Sequence, residues 1–147
     1  MSRCAGLLAL MLAAATGCSA PRADSPQAAS PQAASLANGR SIFETGRDSN
    51  GTRIVARSRP LYPTCAACHH IDGSGGVHLP GGAVSADLRY KAMVTDQKQP
   101  YTLALTQRAI ATGIDDNGQP LNPVMPRWKL SQRDLKDVAY YVMTKLK

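Results

Sequence analysis

The sequence predicts a small all-α domain over residues 38–147, preceded by an export signal and a tether. Three observations carry that prediction. Helix-period apolar positions with recognisable caps recur at residues 35–46, 100–113 and 131–147. No strand-rich alternation separates them. The chain holds one Phe and one Trp in 147 residues, too few aromatics for a conventional core, and a Cys-x-x-Cys-His run lies in its middle. A length of 147 residues leaves room for one ordinary domain.

The front of the chain reads as export machinery. Met1-Ser2-Arg3 is a short basic start, followed by the uncharged apolar run "AGLLALMLAAATG". Such a run is too short to span a bilayer as a helix and suits the central region of a signal peptide. Ala15, Thr16 and Gly17 before Cys18 resemble a bacterial lipobox. That resemblance implies cleavage of residues 1–17 and a diacylglyceryl chain on Cys18. The alternative is a plain signal peptide with a stray cysteine beside it. Residues 19–36, "SAPRADSPQAASPQAASL", repeat the unit SPQAA and contain no aromatic. A segment of that composition cannot bury enough apolar surface to offset its ordering entropy, so residues 18–37 read as a flexible tether. The expected location is the periplasmic side of a bacterial membrane, on a lipid anchor or else soluble. No second apolar run offers a stop-transfer anchor.

The charge balance is +7, with 17 basic and 10 acidic side chains. A basic surface suits nucleic acid, anionic lipid or an acidic protein. Export argues against nucleic acid.

Of four cysteines, Cys4 lies in the signal and Cys18 at the lipid site, leaving Cys65 and Cys68 for the domain. A disulfide across two residues closes too small a loop to stabilise a fold much. Structural zinc requires four ligands, and only His78 follows downstream. A thioredoxin-like dithiol requires a βαβ setting that is missing here. The remaining use is covalent c-type haem, for which Cys-x-x-Cys-His is the attachment signature. Two intervening residues fit a helical turn that presents both thiols to the vinyl groups on one side of a porphyrin. The small Ala66 and Ala67 allow close packing on the ring. His69, next after the second thiol, is then the axial ligand to iron. His70 is rotated by about 100° along a helical turn and points elsewhere, as a surface residue. His78, in a glycine-rich loop, reads as exposed.

Whether the iron is closed or open depends on a sixth ligand. Beyond the signal there are three methionines. Met143 falls inside a helical pattern, and Met93 has no loop-fixing neighbours. Met125 sits in "LNPVMPRW" between Pro123 and Pro126, which restrict the backbone and stiffen the loop. A stiff loop can keep a thioether on iron, so Met125 is the expected second axial ligand.

The helices follow in order. "SLANGRSIFETG" ends at Gly46, a left-handed cap. "PYTLALTQRAIATG" puts Pro100 near the first turn and Gly113 just past the end. "SQRDLKDVAYYVMTKLK" starts at Ser131 as N-cap, with Asp134 completing an approximate capping box. Leu135, Val138, Ala139, Val142 and Leu146 form its apolar stripe. Lys145 and Lys147 suit its negative end.

The segments "GRSIF", "CAACH", "MPRW" and "LSQRDLKDVAYYV" resemble, in that order, those of class I c-type cytochromes. The resemblance covers nearly all of residues 38–147. It implies a small class I cytochrome c-like helical domain wrapped around one covalent haem. It also implies that Gly39 lets the last helix cross the first closely, and that Phe43 packs on Tyr141, or alternatively on Tyr140. A proline carbonyl after the haem motif often accepts from the axial histidine, and Pro80 is the candidate.

An inserted loop at about residues 44–64 departs from compact members. Within it "TGRDSNGTRI" echoes "TGIDDNGQPL" at 112–121, a repeat of turn chemistry rather than a calcium loop. The insertion brings Arg53, Arg57 and Arg59 near the haem motif, either as a solvated loop or as a docking collar. The expected function is a monohaem electron carrier and not an enzyme, tethered to a membrane, with an oxidase, reductase or dehydrogenase as redox partner and no small organic substrate. A permanent haem subunit of one periplasmic dehydrogenase or oxidase, or a haem-based small-ligand sensor, are the alternatives.

Overall fold

The structure, a computed structural model, describes residues 29–147. The expected signal, Cys18 and the tether up to residue 28 lie outside the described residues.

Helix α1 spans Pro31–Thr45. Ser30 caps it by accepting from the Ala33 amide, and Pro31 takes the first turn, where a missing N–H costs nothing. The helix thus begins inside the second SPQAA unit, earlier than expected. What composition alone read as tether is held by tertiary contacts. Gln32 donates to the Tyr140 hydroxyl at 2.5 Å, and Ser35 to Asp137 at 2.5 Å. Gly46, at φ 68°, ends the helix as expected.

Helix α4 spans Gln132–Lys145 and crosses α1. Ser131 caps it by accepting from the Asp134 amide at 3.1 Å. Its hydroxyl also lies 2.6 Å from the Asp134 carboxylate, a variant of the expected capping box. Val138, Ala139 and Val142 are buried, as is Leu146 just past the helix end, while Leu135 packs half-buried against them. Each large apolar side chain so buried contributes about 1.5–3 kcal/mol. The crossing is close because Gly39 faces α4. A Cβ there would lie 2.1 Å from the Asp137 carbonyl oxygen and 2.8 Å from the Tyr141 Cβ. One turn on, Phe43 meets Tyr141, not Tyr140, with ring centroids 5.7 Å apart.

Beside Gly39 lies a polar clamp that the sequence did not announce. Asn38 is 1% exposed and uses every one of its side-chain functions. Its amide donates to Asp134 at 2.9 Å and Asp137 at 2.8 Å, and its carbonyl accepts from the Ser49 amide at 2.7 Å. A buried amide with all its partners fixes the rotation of α1 on α4.

Helix α3 spans Leu103–Thr112 and packs on α4. Thr102 caps it by accepting from Leu105, so Pro100 precedes the helix instead of entering its first turn. Gly113 closes it at φ 71°. The short helix α2, Ala66–His69, carries the cysteine motif, and a π-helical turn, Lys91–Thr95, buries Met93.

The sequence echo is a structural one. In each copy the glycine cap accepts from a residue past the reversal: Ile54 donates to Gly46 and Leu121 to Gly113. In each, an Asp folds the turn, with Thr52 donating to Asp48 and Gln119 to Asp115. Two antiparallel two-residue strands complete the fold. Strand β1, Val55–Ala56, pairs with β2, Trp128–Lys129, with Ala56 opposite Trp128. The insertion is therefore stitched to the segment that follows Met125. Among the described residues, no helix is long and apolar enough to cross a membrane.

Candidate haem crevice

The cysteine motif forms one helical turn. The Cys65 carbonyl accepts from the Cys68 amide at 3.1 Å and the His69 amide at 2.9 Å. Thr64 caps the turn by accepting from Ala67 at 3.1 Å. The Cys68 carbonyl is in turn held by the Ser85 hydroxyl at 2.7 Å. Ser85 is buried and also accepts from the Val77 amide, a tie to the motif that nothing in the sequence signals.

The two thiols are free, and both line one crevice together with His69 and Met125. Phe43, Leu79, Ile110, Trp128, Val138 and Val142 supply much of its wall. The crevice has a cavity volume of about 150 Å3 and opens to solvent. Cys65 is half-buried by surface exposure, yet protein atoms crowd its sulfur, and this desolvation pushes its thiol up to about 12. Burial raises Cys68 as well.

His69 is oriented by a carbonyl, though not that of Pro80. Its Nδ1 lies 2.8 Å from the Ala86 carbonyl oxygen, which can only accept. Nδ1 therefore carries the proton, and Nε2 is the free nitrogen. Desolvation holds the imidazole below its ordinary value, which keeps it neutral, the form that binds a metal. Pro80 fails for a topological reason. Residues 77–85 fold back on themselves, with Ser85 donating to Val77 and Leu79 to Ala83. Pro80 sits exposed at the tip, and the returning strand delivers Ala86 to the histidine. Gly75 leaves room for that carbonyl, since a Cβ there would lie 2.3 Å from it.

His70 is exposed and turned away at φ 60°, with Nδ1 3.1 Å from the Ser74 hydroxyl. His78 is exposed. Met143 takes a hydrogen bond from Thr106 at 3.2 Å and packs on the core. Met93 lines an adjoining cavity that also reaches His69 and Met125. Among the described residues, no group of three or more His, Cys, Asp or Glu could hold a metal ion.

The donor set suits a covalent haem: two thiols on one turn, a neutral imidazole with its second nitrogen fixed, and a thioether, all around an apolar slot. Residues 36–145 match the family model described as cytochrome c. The chain belongs to the cytochrome c family. Its cofactor is haem c, covalently attached and containing iron, and its role is electron transfer rather than catalysis. The mostly helical architecture, with one small two-stranded ribbon, fits that family. Among curated proteins, none matches the chain at a significant level.

Proposed function

We propose that the chain is a monohaem, class I electron carrier, with thioethers at Cys65 and Cys68 and iron held between His69 and Met125. The observation that carries this reading is the lining of one apolar crevice by all four residues, although Met125 lies far downstream of the motif. The haem, when bound, supplies a one-electron couple. The protein's part is to keep that couple closed and dry. His69 offers a neutral nitrogen whose ring is fixed by Ala86. Met125 offers a neutral, soft sulfur, which favours ferrous iron and raises the potential. Two retained ligands leave little to reorganise. In the ferric protein a sulfur-to-iron charge-transfer band is expected, and Met125→Ala should abolish it and open the iron to added imidazole. An unchanged spectrum in Met125→Ala would overturn His/Met ligation and favour a small-ligand sensor.

Leu61, Tyr62 and Val84 stand at the crevice with 50%, 39% and 54% of their surface exposed, and Arg57 and Arg59 are exposed close by in sequence. An apolar rim with positive charge beside it suits docking on an acidic-surfaced oxidase, reductase or dehydrogenase. The exposed rim also favours a second reading, a permanent subunit of one such enzyme. Purification without crosslinking separates the two: a shuttle comes away alone, a subunit with its partner.

We further propose that Cys18 carries the lipid and holds the domain at the extracytoplasmic face of a bacterial membrane, in keeping with the signal architecture. Cys18→Ser is expected to move the haem protein from the membrane pellet to the soluble periplasmic fraction. Retention in the pellet would sink the lipid anchor.

A further inference from the structure

The loop bearing Met125 is laced from within by one side chain. Asn122 starts it as an Asx turn, its side-chain oxygen accepting from Val124 at 3.0 Å and its carbonyl from Met125 at 3.1 Å. Prolines at 123 and 126 remove two of the amides the loop could otherwise offer. Its carbonyls instead converge on the Arg127 guanidinium. Nη2 donates to Leu121 at 2.8 Å, and Nη1 donates to Met125 and lies 3.4 Å from the Asn122 carbonyl. The half-buried guanidinium lies over Gly113, where a Cβ would fall 1.7 Å from Arg127 Nε. The backbone of Arg127 is fixed from the other side. Its carbonyl accepts from the Arg57 amide at 2.8 Å, extending the β1–β2 ribbon.

We infer that Arg127 is a positioning residue for the sixth iron ligand, and that the inserted loop acts with it by clamping the Arg127 backbone through Arg57. Resting on the His/Met reading, this gives the insertion a task beyond surface charge. The three carbonyls and the planar fork match each other, which a lysine ammonium cannot reproduce. A loop freed from this clamp lets Met125 leave the iron, and an external ligand takes its place.

The test is imidazole affinity of the ferric holoprotein, read with the charge-transfer band. Arg127→Lys keeps the charge and loses the fork. Arg57→Pro removes the one amide donor at an exposed position, whereas Arg57→Ala keeps it. Arg127→Lys and Arg57→Pro are expected to bind imidazole at least about tenfold more tightly than the parent, the equivalent of losing one charge-assisted hydrogen bond. Arg57→Ala should match the parent. Amide hydrogen exchange at residues 121–127 should quicken in the first two variants alone. Parent-like affinity in both Arg127→Lys and Arg57→Pro overturns the inference. An effect in Arg127→Lys alone overturns the role of the insertion, and an effect in Arg57→Pro alone overturns that of the fork. If Met125→Ala leaves the spectrum untouched, the His/Met reading itself has failed, a result separable from these.

Discussion

Gly39→Ala is expected to destabilise the haem-loaded protein by about 3 kcal/mol or more, the upper range for forcing an atom into a packed contact. Two effects oppose each other at this position. Alanine is the better helix former by about 1 kcal/mol, which favours the variant. The added Cβ, however, would lie 2.1 Å from the Asp137 carbonyl oxygen, and that oxygen is helix backbone, not a movable side chain end. Only separation of α1 from α4 relieves the clash. Separation stretches the Asn38 bonds to Asp134 and Asp137, now 2.9 Å and 2.8 Å, and lifts Phe43 from Tyr141. A buried amide that loses its partners adds about 1–3 kcal/mol of its own. Sterics therefore outweigh propensity. The check is the denaturant midpoint at constant slope. A midpoint equal to or above that of the parent would show that the crossing is not held by this glycine.

What was legible in the sequence follows from how local each signal is. Caps are local: Gly46, Gly113 and Ser131 are readable because the bond that ends or starts each helix is made within one turn, from Gly46 to Ile42, Gly113 to Ala109 and Asp134 to Ser131. The cysteine motif is local as well, for its two thiols and histidine occupy one turn of helix. The close crossing at Gly39 and the Phe43–Tyr141 pairing are not local, and only the family resemblance brings them into view. Ser85, Ala86 and Asn38 stayed hidden. Each acts on a residue brought near by tertiary folding, and an alanine that offers only its carbonyl leaves no mark in a sequence at all. The start of α1 is hidden for a related reason. Composition weighs a segment alone, whereas Ser35 and Gln32 are held by α4, which lies about a hundred residues away. The echo between 45–54 and 112–121 was visible as words, but its use was not. Placing Met125 in a braced loop needed the register of β1 on β2.

The Cys65→Ala/Cys68→Ala chain, which cannot form the thioethers, is expected to lose cooperative folding. The crevice has a cavity volume of about 150 Å3 and is bounded by side chains such as Phe43, Ile110, Trp128 and Val142. Apolar walls of this kind offer water few partners, so an empty slot must collapse or stay a void. At ~24 cal/mol per Å3 of cavity, leaving that space empty costs about 4 kcal/mol, a large share of the ~5–15 kcal/mol that holds a whole domain. Collapse is no cheaper, because the slot is where α3, α4, the 61–64 segment and the Met125 loop meet. Few aromatics are available to refill it, with one Phe and one Trp in the chain. The α1–α4 crossing has its own polar clamp and is the part expected to persist as residual helix. Far-UV circular dichroism should therefore fall only partly, while the near-UV signal of Trp128, buried in the crevice wall, should vanish. A sharp urea transition with the slope of the haem-loaded protein would refute this, and would mean that side chains alone suffice to build the core.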